Sequence, residues 1–381
     1  MKRVTILGST GSIGTNVLDV VRRHPGRFRV AGLSARTNVR LLRRQVQEFR
    51  PAWITVETSR HGSWDPARIV DGPDPLAELV NRTNPDILVI AVVGFAGLSP
   101  LMQAIALQVP VVALANKESI VVGGDIVNRA LDRSRTRIVP VDSEHSAVFQ
   151  CLAGEPAAHL RRIILTASGG PLFRRPEAPR DAASIVRHPV WRMGRKISVD
   201  SATLVNKGFE YVEAHYLFRV PYSSIDILIH PQSVVHSMVE FTDGSVRALL
   251  SAPDMRIPIS YALGFPDRLA NAARSLRLAD LNRLEFIAPD YRRFPLLRLL
   301  MDAARAGQSR VVAFNAADEV AVREFIAERI AFDDIRRVIA GVMDRHRPGP
   351  VRSVRDIQEI DAEAAREACT LARRIAERKR R

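Results

Sequence analysis

The stretch VTILGSTGSIGTNVLDVV, residues 4–21, decides the fold. Its first four residues, VTIL, read as a buried strand, and TNVLDVV repeats its apolar positions at helical spacing. Between them GSTGSIG, residues 8–14, sets three glycines as G-x-x-G-x-x-G. Strand, glycine loop and helix in that order are the context in which such a loop binds a dinucleotide. Gly8 and Gly11 let the backbone approach a pyrophosphate, and Gly14 lets the helix pack on the sheet. A plain tight turn is the competing reading, because the commoner spacing is G-x-G-x-x-G.

Working outward, the same rhythm continues to about residue 150: FRVAGLS, VRLLRRQVQEF, PDILVIAVVG, LMQAIAL, VPVVALAN and RIVPVDS. Short apolar runs alternating with amphipathic helices predict a parallel sheet covered on both faces. Residues 56–75, rich in Pro, Gly and Asp, read as a loop-heavy insertion. From about residue 151 the pattern changes. RRIILTAS and IDILIHPQSVVHSMVEFTDGSVRALLS alternate in the antiparallel manner, with FTDGSV a hairpin signal. The intervening RHPVWRMGRKISVDSATLVNKGFEYVEAHYLF begins as a Gly-containing loop and ends as a helix. Residues 266–290 read as a connection, and from about 291 every segment is helical by period.

The 381 residues suffice for two or three domains, and 46% hydrophobic with 25% charged residues is a globular composition. No apolar run approaches the roughly 20 residues that span a bilayer. MKRVTILGSTGSIG enters a strand and glycine loop directly, so no export signal is expected. Two cysteines, Cys151 and Cys369, make neither a disulfide framework nor a metal site. A cytoplasmic enzyme is expected, with no membrane partner.

The net charge of +15 raises nucleic acid as a partner. Only five basic residues are lysines, however, and the arginines are scattered, with one dense run, ARRIAERKRR, at the tail. Neither interleaved aromatics nor a recognisable motif accompanies them, so no nucleic-acid partner is expected. Three of the five lysines, Lys117, Lys196 and Lys207, fall inside the motifs that follow.

The second strand bears on the choice of nicotinamide. FRVAGLSARTN offers Ser34, Arg36, Thr37 and Asn38 and no acid, where an NAD site usually has one for the ribose 2′-hydroxyl. Cationic and hydroxyl donors suit a 2′-phosphate, which predicts NADPH.

VDSEHSAVFQ, residues 141–150, poses an electrostatic question. Read as a strand end, it projects Asp142 and Glu144 to one face, where two carboxylates resist burial without a cation. In VNKGFE, Asn206 and Glu210 share a helix face. Asp142, Glu144 and Glu210 together suit Mg²⁺ or Mn²⁺, while pairing with surface arginines is the other reading. Ser168 in TASGG, Ser201, Asn206 and Lys207 supply donors for a phosphate. His188 either contacts substrate or caps a loop, and Trp191 with Met193 either form an apolar lid or pack in the core. His230 and His236 are six apart on an expected strand and read as structural.

GSTGSIG, LANKES, PVDSEHSAVFQ, TASGGP, RHPVWRMGRKISVDSATLVNKGFEYVEA and LIHPQSVVHSMV occur in this order in one family. The chain closely resembles the 1-deoxy-D-xylulose 5-phosphate reductoisomerases over nearly its full length. The resemblance implies conversion of that sugar phosphate to 2-C-methyl-D-erythritol 4-phosphate, with NADPH and Mg²⁺ or Mn²⁺, in isoprenoid precursor synthesis. It implies a Rossmann-like NADPH-binding domain at 1–149 and an α+β catalytic domain at 150–265, with a lid at about 186–196. A linker at 266–290 and a helical domain at 291–381 complete this α/β plan. By resemblance Asp142, Glu144 and Glu210 bind the metal, and Lys117, Ser143, Glu144, Ser168, His188, Ser201, Asn206, Lys207 and Glu210 line the substrate site. Thr10, Gly11, Ser12, Ile13, Asn38, Asn116, Glu118 and Gly194 match NADPH contacts. Arg36 and Thr37 stand where relatives often have Gly-Lys, leaving Arg36 to take the lysine's role. Catalysis would fall to Lys117, Asp142, Glu144 and Glu210, Trp191 and Met193 would belong to the lid, and the family's usual state is a homodimer. The alternative function is another two-domain NADP-dependent oxidoreductase, which needs no divalent ion.

Overall fold

The structure, a computed structural model, describes residues 1–57, 64–175, 177–186 and 194–380. Its elements follow in chain order: β1 (Lys2–Leu7), α1 (Ser12–Arg23), β2 (Phe28–Ala35), α2 (Val39–Phe49), β3 (Trp53–Val56), β4 (Arg68–Ile69), α3 (Pro75–Thr83), β5 (Ile87–Ile90), α4 (Leu98–Ala106), β6 (Val111–Leu114), α5 (Lys117–Leu131), β7 (Arg137–Pro140) and α6 (Ser143–Cys151). Then come β8 (Leu160–Ala167), α7 (Ala182–Ile185), α8 (Arg195–Thr203), α9 (Val205–Phe218), β9 (Ile225–Ile229), β10 (Val235–Phe241), β11 (Val246–Leu250) and α10 (Arg256–Gly264). Four helices close the chain: α11 (Pro295–Ala306), α12 (Gln308–Ile326), α13 (Phe332–Arg345) and α14 (Val354–Arg380).

These elements form two compact units. The first comprises Met1–Ser119, Val127–Gln150 and Asp254–Ser275; the second comprises Ile120–Ile126, Cys151–Pro253 and Leu276–Arg381.

The first unit is built on a parallel seven-stranded sheet in the order β4-β3-β2-β1-β5-β6-β7. Its central strands bury both faces, as β5 and β6 show with every residue buried, which is why they read as unbroken apolar runs. α1 turns Val17, Leu18, Val20 and Val21 inward. α2 and α3 start at the side-chain caps Asn38 and Asp74, with Pro75 opening the latter. The strand order reverses between β1 and β5, and in such sheets ligands bind beyond the carboxyl ends of the strands there. Residues 254–275, which the sequence separates from this sheet, pack against it: Ile259, Tyr261, Ala262 and Leu263 of α10 join its core. Within the loop-heavy stretch at 56–75, β4 adds a short edge strand paired to β3.

The second unit holds a four-stranded sheet in the order β11-β10-β8-β9. β10 runs antiparallel to β8 and β11, and the turn through Asp243 and Gly244 makes the expected hairpin. β8 and β9 are parallel, against the antiparallel expectation. Parallel neighbours need a long crossover, and α7, α8 and α9 supply it. α12 buries nearly its whole circumference, from Val311 and Val312 to Phe325, which explains its weak amphipathic pattern. Among the described residues no helix is long and apolar enough to cross a membrane.

Candidate active site

In the first unit, the glycine loop leaves β1 at the point of strand reversal. Gly8 has φ +85°, and a Cβ there would lie 2.6 Å from the Ala91 carbonyl oxygen after β5, so only glycine fits. A Cβ on Gly14 would lie 2.3 Å from the Gly8 oxygen, which sets how closely α1 approaches the loop. Ser9 locks the turn. Its Oγ donates to Gln45 Oε1 at 2.7 Å, and Gln45 Nε2 donates back to the Ser9 oxygen at 2.9 Å. Gly11 occupies the N-cap position of α1, with no side-chain cap and no acid in the first turn. The N–H groups of that turn therefore face an anion's position without a competing carboxylate. Ser12 is exposed there, Thr10 is half-buried, and Ile13 packs against the core.

The donors expected at the end of β2 divide. Ser34 is buried and its Oγ accepts the Gly8 N–H at 2.8 Å, so it braces the loop rather than facing a ribose phosphate. An apolar strand buried on both faces has no solvent side for it. Arg36 is exposed, with Glu57 Oε2 at 3.5 Å; that acid at the end of β3 was not anticipated. Asn38 caps α2 by accepting the Leu41 N–H at 3.1 Å, and the backbone carbonyl of Thr37 accepts the Val39 N–H.

Asn116 and Glu118 both fasten the loop after β5. Asn116 Nδ2 donates to the carbonyls of Val92 and Gly94 at 3.0 and 2.9 Å, and Glu118 Oε1 accepts the Gly94 N–H at 3.2 Å. Asn116 Oδ1 also caps α5 through the Ser119 N–H.

The acidic motif is not extended. β7 ends at Pro140 and α6 starts at Ser143, so Asp142 precedes a helix and Glu144 lies in its first turn. The expectation of a strand end presenting both acids to one face is thereby corrected. Carboxylates at a helix N-terminus are favoured by the peptide dipoles, which relieves part of their repulsion. Lys117, the first residue of α5, supplies a cation: its Nζ lies 2.6 Å from Asp142 Oδ2, with both side chains mostly buried. Ser143 Oγ donates to Glu144 Oε2. Sequence reading overlooked His145, which is fully buried with Nδ1 3.9 Å from Asp142 Oδ2. Its place directly after Glu144 in DSEHS was the available signal.

In the second unit, β8 runs out into the TASGG turn. Gly169 and Gly170 have φ +85° and +69°, and the Gly170 N–H donates to Ser168 Oγ at 3.2 Å. A Cβ on Gly170 would lie 2.4 Å from the Ser201 oxygen, so the turn sits directly on the end of α8. Leu204, at φ +59°, reverses the chain from α8 into α9. The first turn of α9 carries Asn206 and Lys207 and no acid. Asn206 Nδ2 donates to Glu210 Oε1 at 2.5 Å and Lys207 Nζ donates to Glu210 Oε2, the i, i+4 and i, i+3 spacings that put both donors beside the carboxylate on the helix. Lys207 and Glu210 are 4% and 1% exposed as side chains, so the buried carboxylate and ammonium neutralise each other. The unit thus gathers Ser168, Ser201, Asn206 and Lys207 around one glycine turn and one helix junction, a set of donors suited to phosphate.

Beside this junction lies a buried ion triad that sequence reading did not single out. Lys196 Nζ stands 2.7 Å from both Asp200 Oδ2 and Asp318 Oδ2. Lys196 and Asp200 were legible as an i, i+4 helix pair; Asp318 is remote in sequence. Gly194 is the N-cap residue of α8. His188, Trp191 and Met193 lie outside the described residues. His230 follows β9 whereas His236 lies in β10, so they do not share one strand. Each is buried and hydrogen-bonded, His230 Nδ1 to the Glu285 carbonyl at 2.8 Å and His236 Nε2 to Ser251 Oγ at 2.8 Å. Burial pushes the His230 pKa down, keeping the ring neutral.

Comparison with known proteins identifies the family. Residues 4–124 match the 1-deoxy-D-xylulose 5-phosphate reductoisomerase family, 138–218 its C-terminal domain family, and 250–367 the DXP reductoisomerase C-terminal domain. The 1-deoxy-D-xylulose 5-phosphate reductoisomerase of Chloroherpeton thalassium is 45% identical over 96% of this chain and 97% of its own. That of Synechococcus sp. is 46% identical over 98% of each. The solved reductoisomerase of Zymomonas mobilis in complex with NADPH superposes with a TM-score of 0.90, at 38% identity over 97% of this chain and 99% of that one. A solved reductoisomerase with NADPH, fosmidomycin and magnesium gives 0.89, at 34% identity over 98% of each chain. The chain belongs to the 1-deoxy-D-xylulose 5-phosphate reductoisomerase family.

Proposed function

We propose that the first unit supplies the nucleotide cradle and the carboxylates Asp142 and Glu144, while the second supplies the phosphate cradle and Glu210. The chain is an NADPH- and divalent-metal-dependent oxidoreductase. It rearranges and reduces 1-deoxy-D-xylulose 5-phosphate to 2-C-methyl-D-erythritol 4-phosphate in the non-mevalonate route to isoprenoid precursors. The observation that carries this reading is the pairing, in one chain, of a tight glycine loop whose Gly8 and Gly14 admit no Cβ with a set of hard oxygen donors.

In this reading the turn from Thr10 to Ile13 holds the pyrophosphate of NADPH, and Arg36, Thr37 and Asn38 surround its 2′-phosphate. Asn116 and Glu118 shape the neighbouring loop, and Gly194 completes the nucleotide contacts. Asp142, Glu144 and Glu210 hold Mg²⁺ or Mn²⁺; all three offer only oxygen, as such ions require. When bound, the ion supplies Lewis acidity toward the ketone and neighbouring hydroxyl of the substrate, and NADPH supplies the hydride. Ser168, Ser201, Asn206 and Lys207 grip the substrate's phosphate, and His188 and Ser143 contact the rest of it. Binding energy at the phosphate then orients the reacting end. Lys117, its Nζ 2.6 Å from Asp142 Oδ2, and Glu144 are the groups that move protons in this reading. The segment around Trp191 and Met193, within about 186–196, excludes water from the closed site. We assign 1–149 to NADPH, 150–265 to metal and substrate, 266–290 to a linker and 291–381 to a helical domain. The protein acts in the cytoplasm as a homodimer and takes no nucleic acid.

NADPH oxidation by the purified chain with 1-deoxy-D-xylulose 5-phosphate, with and without Mg²⁺ or Mn²⁺, tests this. Turnover should require the ion and fall at least ~100-fold in Glu210→Gln. Folded protein that binds NADPH but turns over with neither ion would remove the substrate assignment.

A further inference from the structure

The second unit contains a cavity of about 570 Å³, within the ~300–1,000 Å³ typical of ligand sites. It opens between the end of α8, at Ala202 and Thr203, and the beginnings of α11 and α13. Its wall is basic, with Arg180, Arg292, Arg293, Arg336 and Arg337 against the single carboxylate Asp333. Its remaining surface is apolar, including Leu172, Phe294, Leu296 and Phe332.

Three of the guanidiniums are held in place. Arg180 Nη1 lies 2.7 Å from Asp333 Oδ1, Arg337 Nη1 lies 2.9 Å from Asp334 Oδ1, and Arg293 donates to the carbonyls of Leu172 and Phe173. Among the described residues, no hydrogen bond or ion pair engages the side chains of Arg292 and Arg336. Two helices of 12 and 14 residues also begin at this cavity, at Pro295 and Phe332, adding the positive ends of their dipoles. The first turn of α11 has no acid, and those of α13, Asp333 and Asp334, already face Arg180, Arg337 and Lys379. The positive potential therefore remains unmatched inside a concave, half-apolar space. None of these residues belongs to the nucleotide, metal or phosphate sets above.

We propose that this cavity binds a second ligand: an organic phosphate or diphosphate carrying a small apolar group. Arg292 and Arg336 take its anionic end, and the phenylalanine and leucine side chains cover its apolar part. Titration calorimetry of the full chain with inorganic pyrophosphate and with butyl diphosphate tests this. Butyl diphosphate should bind more tightly than pyrophosphate, and both should weaken when salt is raised to about 0.5 M. Arg292→Ala and Arg336→Ala should each lower the affinity about tenfold with an unchanged melting temperature, since both side chains are exposed. Absence of binding by either probe overturns the proposal. So does a pyrophosphate affinity equal to or above that of butyl diphosphate, or unaltered binding in both variants, which places the anion elsewhere.

Discussion

Replacing Gly170 with alanine should damage substrate binding while sparing the nucleotide. Gly170 has φ +69°, a backbone region that costs an L-residue about 1 kcal/mol or more. The added Cβ would lie 2.4 Å from the Ser201 oxygen and 2.8 Å from its carbonyl carbon, where ordinary contact begins at 3.4 Å. Both atoms are backbone, so no side chain can swing aside; the turn carrying Ser168 and the end of α8 carrying Ser201 must separate by about 1 Å. Forcing that shift costs a further ~1–3 kcal/mol of stability. A displacement of that size within a positioned set of donors costs on the order of 100-fold in kcat/KM. Gly154→Ala is the control: its φ is +83°, yet nothing lies within 4 Å of the new Cβ. It should show the backbone cost of about 1 kcal/mol and normal kinetics. The assay is steady-state NADPH oxidation with each substrate varied, beside chemical denaturation of both variants. The expected pattern is a raised KM for the sugar phosphate in Gly170→Ala, with an unchanged KM for NADPH. A folded Gly170→Ala protein with parental substrate KM would refute the assignment of the phosphate cradle.

Three further outcomes follow from local geometry. Gly14→Ala places a Cβ 2.5 Å from Ser9 Cα, pushing α1 off the glycine loop, and should weaken NADPH at least ~10-fold in fluorescence titration; undiminished affinity would mean the pyrophosphate binds elsewhere. Lys196→Met leaves Asp200 and Asp318 buried without their shared cation and should cost about 3 kcal/mol or more in urea denaturation, against less for Asp318→Asn, which leaves one carboxylate matched; the reverse order would contradict the triad. Burial pushes the Cys151 thiol from its ordinary 9.0 up to about 11, with Arg247 opposing. The unfolded chain therefore ionises there while the folded chain keeps the proton, and folding loses stability as pH rises from 9.0 to about 11. A thiol reagent at pH 8 should accordingly modify half-buried Cys369 long before buried Cys151, checked by peptide mass; equal labelling would refute the burial.

How much was legible in advance depended on whether a residue's role is set by its neighbours along the chain. The glycine loop, the parallel sheet, the Asp243–Gly244 hairpin and the Asn206–Glu210 helix face all follow from short-range periodicity and backbone sterics, which a sequence carries in full. The acidic pair was misread in geometry because a strand ending at Pro140 and a helix starting at Ser143 differ by the path of two residues, and local propensity does not fix that turn. The parallel pairing of β8 with β9 was likewise hidden, since strand direction is set by how the long crossover packs and not by the strands' own residues. So were the burial of Ser34 beneath the Gly8 N–H, the meeting of Lys196 with Asp318, and the gathering of Arg180, Arg292 and Arg336 around one cavity. The sequence by itself determined which chemical groups the protein carries and, where the periodicity is long, the helices and strands that bear them. Only the tertiary structure decided which charges answer one another, because Coulombic and steric contacts act through space, between residues whose separation along the chain says nothing of their distance.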